Sequence, residues 1–371
     1  MSKSDRLPFQ DIEFALAKCN FNGKSRSLPF NEDVPYKTYL ETAYALGIVS
    51  TRFDVRNLLC TSYVNLAATP PQLMRPGACP LYILPWNTIR RFSVLGYFQT
   101  SKPDFELKTV SCQSLIEWII EALCGGCYVY ATVNERFVPE TSSHAKGVDY
   151  THPCLLTACD SERRLLKGYT YRADGSFGAI SLPFADMAAG FLLRGDRDKM
   201  LDSHFFEPAL FKIALRNDSA PMGNFDARPI AEALQDYALC QAPRAWKGGE
   251  DIYGLAAVQH VVADVSESVR LSRAVDLRAT RALMEHREIM RGNIRYIGDN
   301  VYVHGLSKMQ SAYQAVATWA KNLHLLCYDH SLSRWNLADD RERLSQHFAE
   351  AERMSALERD TVASLIESLH Q

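Results

Sequence analysis

The segment 124–182 limits the possible folds of this chain more than any other. It begins at the end of a helix and continues as a strand at 127–133, in which apolar side chains alternate with Tyr and Thr. After a polar loop, three further runs predict strands at 152–159, 165–172 and 177–182. The turns between these runs are short, and Asp174-Gly175 is a hairpin signal. The segment therefore predicts an antiparallel meander.

Helical patterns lie on both sides of this meander. Upstream, apolar spacing and stop signals predict helices at 34–47, 57–68 and 111–123. Downstream, the pattern predicts helices at 252–265, 269–297, 307–326 and 341–369. Helices followed by an antiparallel meander are typical of the α+β class. Turns at 194–199 and 217–223 separate the two patterns, so we predict an α+β domain over 1–200 and a mainly helical domain over 201–371.

The bulk composition argues against several classes of protein. The 371 residues carry a net charge of −2, which does not favour nucleic-acid binding. No run approaches the roughly 18 unbroken apolar residues of a membrane span. The N-terminus lacks the apolar core of a secretion signal, and ten cysteines without such a signal predict free thiols in a reducing compartment. We therefore expect a cytoplasmic protein that contacts neither nucleic acid nor membrane.

Two histidines in the central segment are candidates for a general base. His144 lies in a polar loop, whereas His152 leads directly into an apolar strand that would fix its backbone. Because a base must be held rigidly to keep its hydrogen bond to the nucleophile, His152 is the better candidate. The alternative interpretation is a surface or packing histidine.

Cys60 is the best candidate for a nucleophile that would work with this histidine. We expect it near the start of a helix, where unpaired N–H groups lower the pKa of a thiol, and small residues follow it. Cys19 is the reserve candidate. A small buried cysteine is the alternative interpretation of Cys60, because most free cysteines are of that kind. A cysteine on an upstream helix and a histidine at the mouth of a strand resemble the layout of a papain-like thiol enzyme.

The remaining chemical motifs are weaker. A third residue should orient the imidazole, and Asp174 is the candidate, although its Asp-Gly turn explains it equally well. The motif Cys124-Gly-Gly-Cys127 suggests redox chemistry or half of a zinc site. A second ligand pair is missing from the sequence, and the glycines serve to end a helix. We therefore expect no metal site.

Several runs carry a resemblance to a known family. They are 127–139, 150–160 with its Thr151-His152-Pro153-Cys154, 177–187 and the later helical run 283–296. These runs resemble the butirosin biosynthesis protein H N-terminal family, over about residues 30–300 and as patterns rather than rigid motifs. That family is similar to papain-like and bacteriocin-processing cysteine peptidases and occurs in non-ribosomal peptide and polyketide gene clusters.

The resemblance implies an acyltransferase of natural-product biosynthesis. Such an enzyme takes an acyl group from an acyl or peptidyl carrier protein through a cysteine thioester and delivers it to a small-molecule amine; cyclisation or chain release are related outcomes. The family's cysteine corresponds to Cys60 and its histidine to His152. No cofactor is implied except the phosphopantetheine of the carrier-bound substrate. The family's acid after the second strand is missing here, so the alternative is a catalytically inactive module that binds a carrier or partner enzyme.

A stripe of arginines in the helical half is a candidate carrier-binding surface. Arg287, Arg291 and Arg295 are spaced by four residues and would share one helix face. Such a stripe suits an acidic carrier protein or its phosphate. The alternative is an ordinary solvated face balanced by neighbouring glutamates. His286 is expected to lie on the core side as a hydrogen-bonded core histidine.

Overall fold

A computed structural model describes residues 9–21, 23–73, 81–84, 96–107, 109–193, 209–216, 224–243, 250–332 and 337–371. The helices are α1 (Phe9–Ala17), α2 (Leu40–Val49), α3 (Arg56–Ser62), α4 (Cys112–Cys124), α5 (Ser142–Lys146), α6 (Phe184–Leu192), α7 (Ala227–Ala238), α8 (Gly254–Arg270), α9 (Leu277–Asn300), α10 (Leu306–Leu332), α11 (Leu337–Ala349) and α12 (Ala351–Leu369). The strands are β1 (Ser25–Ser27), β2 (Leu66–Ala68), β3 (Leu81–Ile83), β4 (Phe98–Ser101), β5 (Tyr128–Asn134), β6 (Thr151–Asp160), β7 (Leu165–Tyr171), β8 (Phe177–Pro183), β9 (Leu210–Leu215) and β10 (Ile252–Tyr253).

The chain divides into two compact units, and the class is α+β, as the sequence predicts. The sheet unit contains Met1–Val34, Tyr39–Arg52 and Thr88–Pro221; the helical unit contains Pro35–Thr38, Phe53–Asn87 and Met222–Gln371. This corrects the predicted boundary at residue 200. The physical reason is that β9 pairs with β4 and β5 and is thereby fixed in the sheet unit. The turns at 194–199 and 217–223 lie outside the described residues.

The sheet unit is built on one antiparallel sheet. Its order is β4-β9-β5-β6-β7-β8, and β1 pairs with β6 off this path. The predicted meander is confirmed as β6, β7 and β8, joined by turns at the expected positions. The strand β5 is buried along its whole length rather than on alternate residues. Both tyrosine hydroxyls of β5 are satisfied inside the unit, since Tyr128 donates to the carbonyl of Pro29 and Tyr130 to the carboxylate of Glu41.

Helices α2 and α4 show how local chemistry sets the helix ends of this unit. The helix α4 begins after Ser111, whose side chain accepts a hydrogen bond from the N–H of Ser114 and so caps the helix. The predicted helix at 34–47 begins later, at Leu40. Gly47 lies inside α2. A Cβ at this position would come within 2.3 Å of the Phe30 ring. The glycine therefore permits close packing and does not end the helix.

The helical unit contains α3, α7 to α12 and a small antiparallel sheet. The sheet order is β10-β2-β3, so strands accompany the helices of a unit whose C-terminal part is predicted to be mainly helical. The predicted helix at 57–68 ends at Ser62, and the chain continues into β2, whose backbone pairs with β3 and β10. The predicted helix at 341–369 is two helices, α11 and α12, separated at Glu350. In the part of the chain that the structure describes, no helix combines the length and the apolar character needed to cross a membrane.

Candidate functional site

The centre of the candidate site is a hydrogen bond between His152 and Glu135. The Nδ1 of His152 lies 2.9 Å from Oε1 of Glu135. The register of the sheet creates this pair, since Asn134 at the end of β5 faces Thr151 at the start of β6. The residue that follows β5 is therefore delivered to the strand end that carries His152. A carboxylate on Nδ1 fixes the tautomer and orientation of an imidazole.

Glu135 is itself held on three sides. Its N–H donates to the carbonyl of Tyr150 over 2.7 Å, and its own carbonyl accepts from the Thr141 hydroxyl over 3.0 Å. Its second carboxylate oxygen, Oε2, accepts from the Ser143 hydroxyl over 3.1 Å. The side chain is 8% exposed. Because both carboxylate oxygens are engaged and the group is nearly buried, Glu135 can present only one geometry to His152.

The His152 ring is enclosed by aromatic side chains but reaches the surface. Its centroid lies 5.3 Å from that of Tyr150 and 5.7 Å from that of Tyr171. The side chain is 14% exposed, and Tyr150 beside it is 43% exposed. The ring is thus fixed on its flanks while part of it stays accessible.

A second set of bonds fixes the loop between β5 and β6. The Nδ2 of Asn134 donates to Oδ1 of Asp149 over 2.8 Å, and its Oδ1 accepts from the N–H groups of Arg136 and Tyr150. Helix α6 approaches this point at Gly190, where a Cβ would lie 3.2 Å from the carbonyl oxygen of Asn134. Asn134 therefore joins both ends of the loop that carries Glu135 and Ser143.

His144, the other candidate base, has a different environment. It lies in α5 and is exposed. Its Nδ1 bonds to the backbone carbonyl of Arg136 over 2.8 Å. Of these two histidines, the one that bonds to a carboxylate is therefore His152, and its role as a base stays a prediction.

Asp174 does not orient the imidazole. It lies in the turn between β7 and β8, where its Oδ1 accepts from the N–H and the hydroxyl of Ser176 over 2.9 and 2.6 Å. These hydrogen bonds lower the pKa of the Asp174 carboxyl. The residue stabilises the hairpin, and the carboxylate that bonds to His152 is Glu135. Sequence reasoning missed Glu135 because it searched the strand after His152 and not the end of the strand before it.

Cys60 lies in a different environment from the one predicted. It is in the second half of α3 rather than at a helix start, and it has no exposed surface. Burial raises the pKa of its thiol far above the ordinary value, and Arg56 only partly opposes this shift. Cys60 belongs to the helical unit, whereas His152 and Asp174 belong to the sheet unit. The pairing of Cys60 with His152 therefore stays a prediction.

Two further cysteines of the sheet unit, Cys19 and Cys154, also have raised pKa values. Cys19 follows α1 and donates to the carbonyl of Ala15, and burial together with nearby Cys112 raises its pKa. Burial also raises the pKa of Cys154 to about 12, with a further contribution from Glu135. Where the surroundings shift a cysteine pKa in the described chain, the shift is upward. This is the opposite of the shift that creates a reactive thiolate.

Within the Cys-Gly-Gly-Cys motif, Cys124 contacts a cysteine outside the motif. The sulfur of Cys124 lies 3.9 Å from that of Cys159 on β6. Across the residues with described positions, no group of three or more His, Cys, Asp or Glu side chains is placed to hold a metal ion.

The prediction that the arginine stripe is exposed is wrong for Arg287. Arg287 has no exposed surface and forms an ion pair of 2.7 Å with Glu358, which is 1% exposed. Arg291 is 40% exposed and contacts Glu288 and Gln314, and Arg295 is exposed. His286 is fully buried and bonds to the carbonyl of Val64, which agrees with the predicted core histidine. Of the three arginines in the predicted stripe, Arg291 and Arg295 therefore present charge to solvent and Arg287 does not.

Comparison of the sequence with models of known protein families finds no match, and comparison with curated proteins finds none either.

Proposed function

We propose that this protein catalyses acyl transfer from a carrier-bound thioester, with His152 as the general base and Glu135 as the residue that positions it. The observation that carries the proposal is the 2.9 Å bond between a partly exposed imidazole and a nearly buried carboxylate. The layout expected from the resemblance, a papain-like thiol enzyme of natural-product biosynthesis, supplies the substrate class. The acceptor in this proposal is a small-molecule amine, and the donor is an acyl or peptidyl carrier protein.

In the proposed chemistry, His152 carries one proton from the attacking nucleophile to the leaving group. The imidazole takes the proton of the attacking nucleophile as the new bond to the thioester carbonyl forms. The C–S bond of the thioester breaks, and the phosphopantetheine sulfur leaves as a thiolate that takes up the proton from the imidazolium. Glu135 stabilises the imidazolium that exists between these two events, because a carboxylate on Nδ1 is closest to the charge that develops.

Two routes are compatible with this base. In the first, Cys60 attacks the thioester and the amine then releases the acyl group from the cysteine, as the resemblance implies. In the second, the amine attacks the carrier thioester directly and no acyl-enzyme forms. The burial of Cys60 and the raised pKa of its thiol favour the second route, because a buried thiolate is costly to form.

The second candidate function is a catalytically inactive papain-like module that binds a carrier protein or a partner enzyme. The same observation favours it, since full burial of Cys60 is the environment of a structural cysteine. In this case the bond between Glu135 and His152 would serve only to fix the loop before β6.

The test is to incubate the protein with a carrier loaded with an acyl thioester, with and without a small amine. The masses of the amine and of the protein are then measured. Formation of an acylated amine by the wild-type protein supports the enzyme, and an acyl mass on the protein reports a covalent intermediate. If Cys60→Ala loses that mass while Cys327→Ala, the matched buried cysteine, retains it, the first route holds. Transfer that persists in Cys60→Ala selects the direct route. Carrier binding with neither product supports the inactive module.

A further inference from the structure

A pair of thiols lies in the sheet unit away from the His152 site. Cys124 is the last residue of α4, and Cys159 lies near the end of β6, opposite Arg26 of β1 and Leu166 of β7. Their sulfur atoms are 3.9 Å apart, although the residues are 35 positions apart in the chain. The helix α4 contacts both β1 and β6, so the packing of helix on sheet holds the two sulfurs together.

We propose that Cys124 and Cys159 form a reversible disulfide when the protein meets hydrogen peroxide. A disulfide needs its sulfurs at about 2.05 Å, so the two atoms must approach by roughly 2 Å. The surroundings permit this movement. Cys124 is partly exposed, and the helix ends immediately afterwards at Gly125 and Gly126. At Gly126 nothing lies within 4 Å of a Cβ position, so there is open space beside the residue that follows the helix end.

The roles of the two cysteines follow from their exposure. The thiolate of Cys124, the more accessible sulfur, attacks one peroxide oxygen, which gives a sulfenic acid on Cys124 and one molecule of water after proton uptake. The sulfur of Cys159 then attacks the sulfur of that sulfenic acid. A second water leaves, carrying the sulfenic hydroxyl and the thiol proton of Cys159. Both sulfurs are oxidised by one electron each, and one peroxide is reduced to two waters.

Cys159 is suited to the second role. It is 4% exposed, and burial with the nearby Cys124 sulfur raises the pKa of its thiol to about 12. Peroxide therefore meets Cys124 first, and Cys159 reacts only with a sulfur that has come to lie against it. The bond would tie α4 to the far end of the strand that carries His152 at its beginning. It would also close a chain loop, which stabilises a fold by restricting the unfolded chain.

The experiment treats the full chain with a small excess of hydrogen peroxide, quenches with acid, blocks remaining thiols with an alkylating reagent and identifies linked peptides by fragmentation. We expect a loss of about 2 Da, recovery with dithiothreitol and a link between Cys124 and Cys159. The link should disappear in Cys124→Ser and Cys159→Ser and persist in Cys127→Ser and Cys154→Ser, the nearest cysteines along the same elements. The oxidised wild-type protein should unfold at a temperature higher by roughly 5 °C or more than the reduced protein.

Three outcomes would overturn the proposal. The first is a link from Cys124 to Cys127, or between Cys19 and Cys112, in place of the expected one. The second is oxidation of Cys124 to sulfinic acid while Cys159 stays alkylatable. The third is a complete link that dithiothreitol does not reverse. Because Cys159 is buried, Cys159→Ala is measured beside Cys159→Ser, and each variant is compared with the reduced wild-type protein by circular dichroism before oxidation.

Discussion

Each unit contains a polar network around one nearly buried glutamate, and the two networks differ in how much of their partner side chains solvent can reach. In the sheet unit, Glu135 holds His152, whose side chain is 14% exposed. In the helical unit, Glu358 pairs with Arg287 and also accepts hydrogen bonds from the hydroxyls of Tyr237 and Tyr313, and these groups are almost completely enclosed. A charged group alone therefore does not mark a functional site here. The two networks differ in that His152 is partly exposed, whereas Arg287 and the neighbouring His286 have no exposed surface.

The enclosed network explains why the three arginines of α9 do not form one exposed surface. The guanidinium of Arg287 also donates to the Tyr237 hydroxyl and to Nδ1 of His286, over 3.0 and 2.7 Å. Neighbouring charges therefore outweigh burial, and the pKa of Arg287 stays above the ordinary value. The network joins α7, α9, α10 and α12 and contributes to the core of the helical unit.

The largest expected effect comes from breaking this ion pair. Replacing Arg287 by Met leaves Glu358 as an uncompensated buried charge, which should lower the free energy of unfolding by about 3–5 kcal/mol. Denaturant unfolding followed by circular dichroism measures the change. Arg295→Met on the same helix is the control and should change stability by less than about 0.5 kcal/mol. Equal effects of the two substitutions would show that the Arg287 pair is not structural.

The next effect concerns the positioning residue of the exposed network. Glu135→Gln keeps the size of the side chain but removes its charge, so the imidazolium loses its stabilising partner. We expect the rate of acyl transfer to fall by roughly 10–100-fold, by analogy with other residues that orient a functional histidine. The unfolding midpoint should change little. The proposed role would fail if the rate stayed the same in Glu135→Gln, or if Ser143→Ala, which removes the other bond to this carboxylate, cost more.

A smaller effect should appear when the pH falls. Burial, together with Arg281, lowers the pKa of His324 to about 4, and burial and Arg287 lower that of His286. The unfolded chain, with histidine pKa values of about 6.5, therefore binds more protons than the folded chain below that pH. Stability is lost as the pH falls from about 6.5 towards 4.

The variant His324→Gln isolates one part of this loss. The glutamine amide can hydrogen-bond to the Thr280 hydroxyl, which lies 2.9 Å from Nδ1 of His324, but it does not titrate. The loss of stability between pH 7 and pH 5 should shrink by about 1–2 kcal/mol, after allowance for partial exposure of the ring. Parallel curves for the wild-type protein and the variant would contradict the lowered pKa.

The smallest effect concerns the arginines that remain exposed. Reversing Arg291 and Arg295 to Glu should reduce carrier-dependent turnover by a few-fold, and more at low salt, because exposed charges are screened over about 8 Å at physiological ionic strength. Reaction with a small carrier-free thioester should be unchanged. If both reactions fall together, these arginines support the helix and do not dock a carrier.

The sequence predicts those features that depend on neighbouring residues. The meander follows from apolar runs and the Asp-Gly turn, and both are local signals. Glu135 could be recognised only from the register of β5 against β6, which brings together residues from the two ends of a loop. The burial of Arg287 could be predicted from its position, since it shares the helical spacing of the buried Leu283, Met290 and Ile294. Its charge, however, is typical of an exposed residue. The burial of Cys60 depends on packing from other segments, which no local pattern reports.

The most direct measurement compares His152→Ala with His144→Ala in acyl transfer from a small thioester to an amine. The two histidines belong to the same segment, but only His152 bonds to a carboxylate in the described chain. We expect His152→Ala to lower the rate by about 10²–10⁴-fold, as for loss of a general base, while its unfolding midpoint stays near that of the wild-type protein. His144→Ala should retain the wild-type rate. Equal rates for the two variants and the wild-type protein would contradict the assignment of His152 as the base.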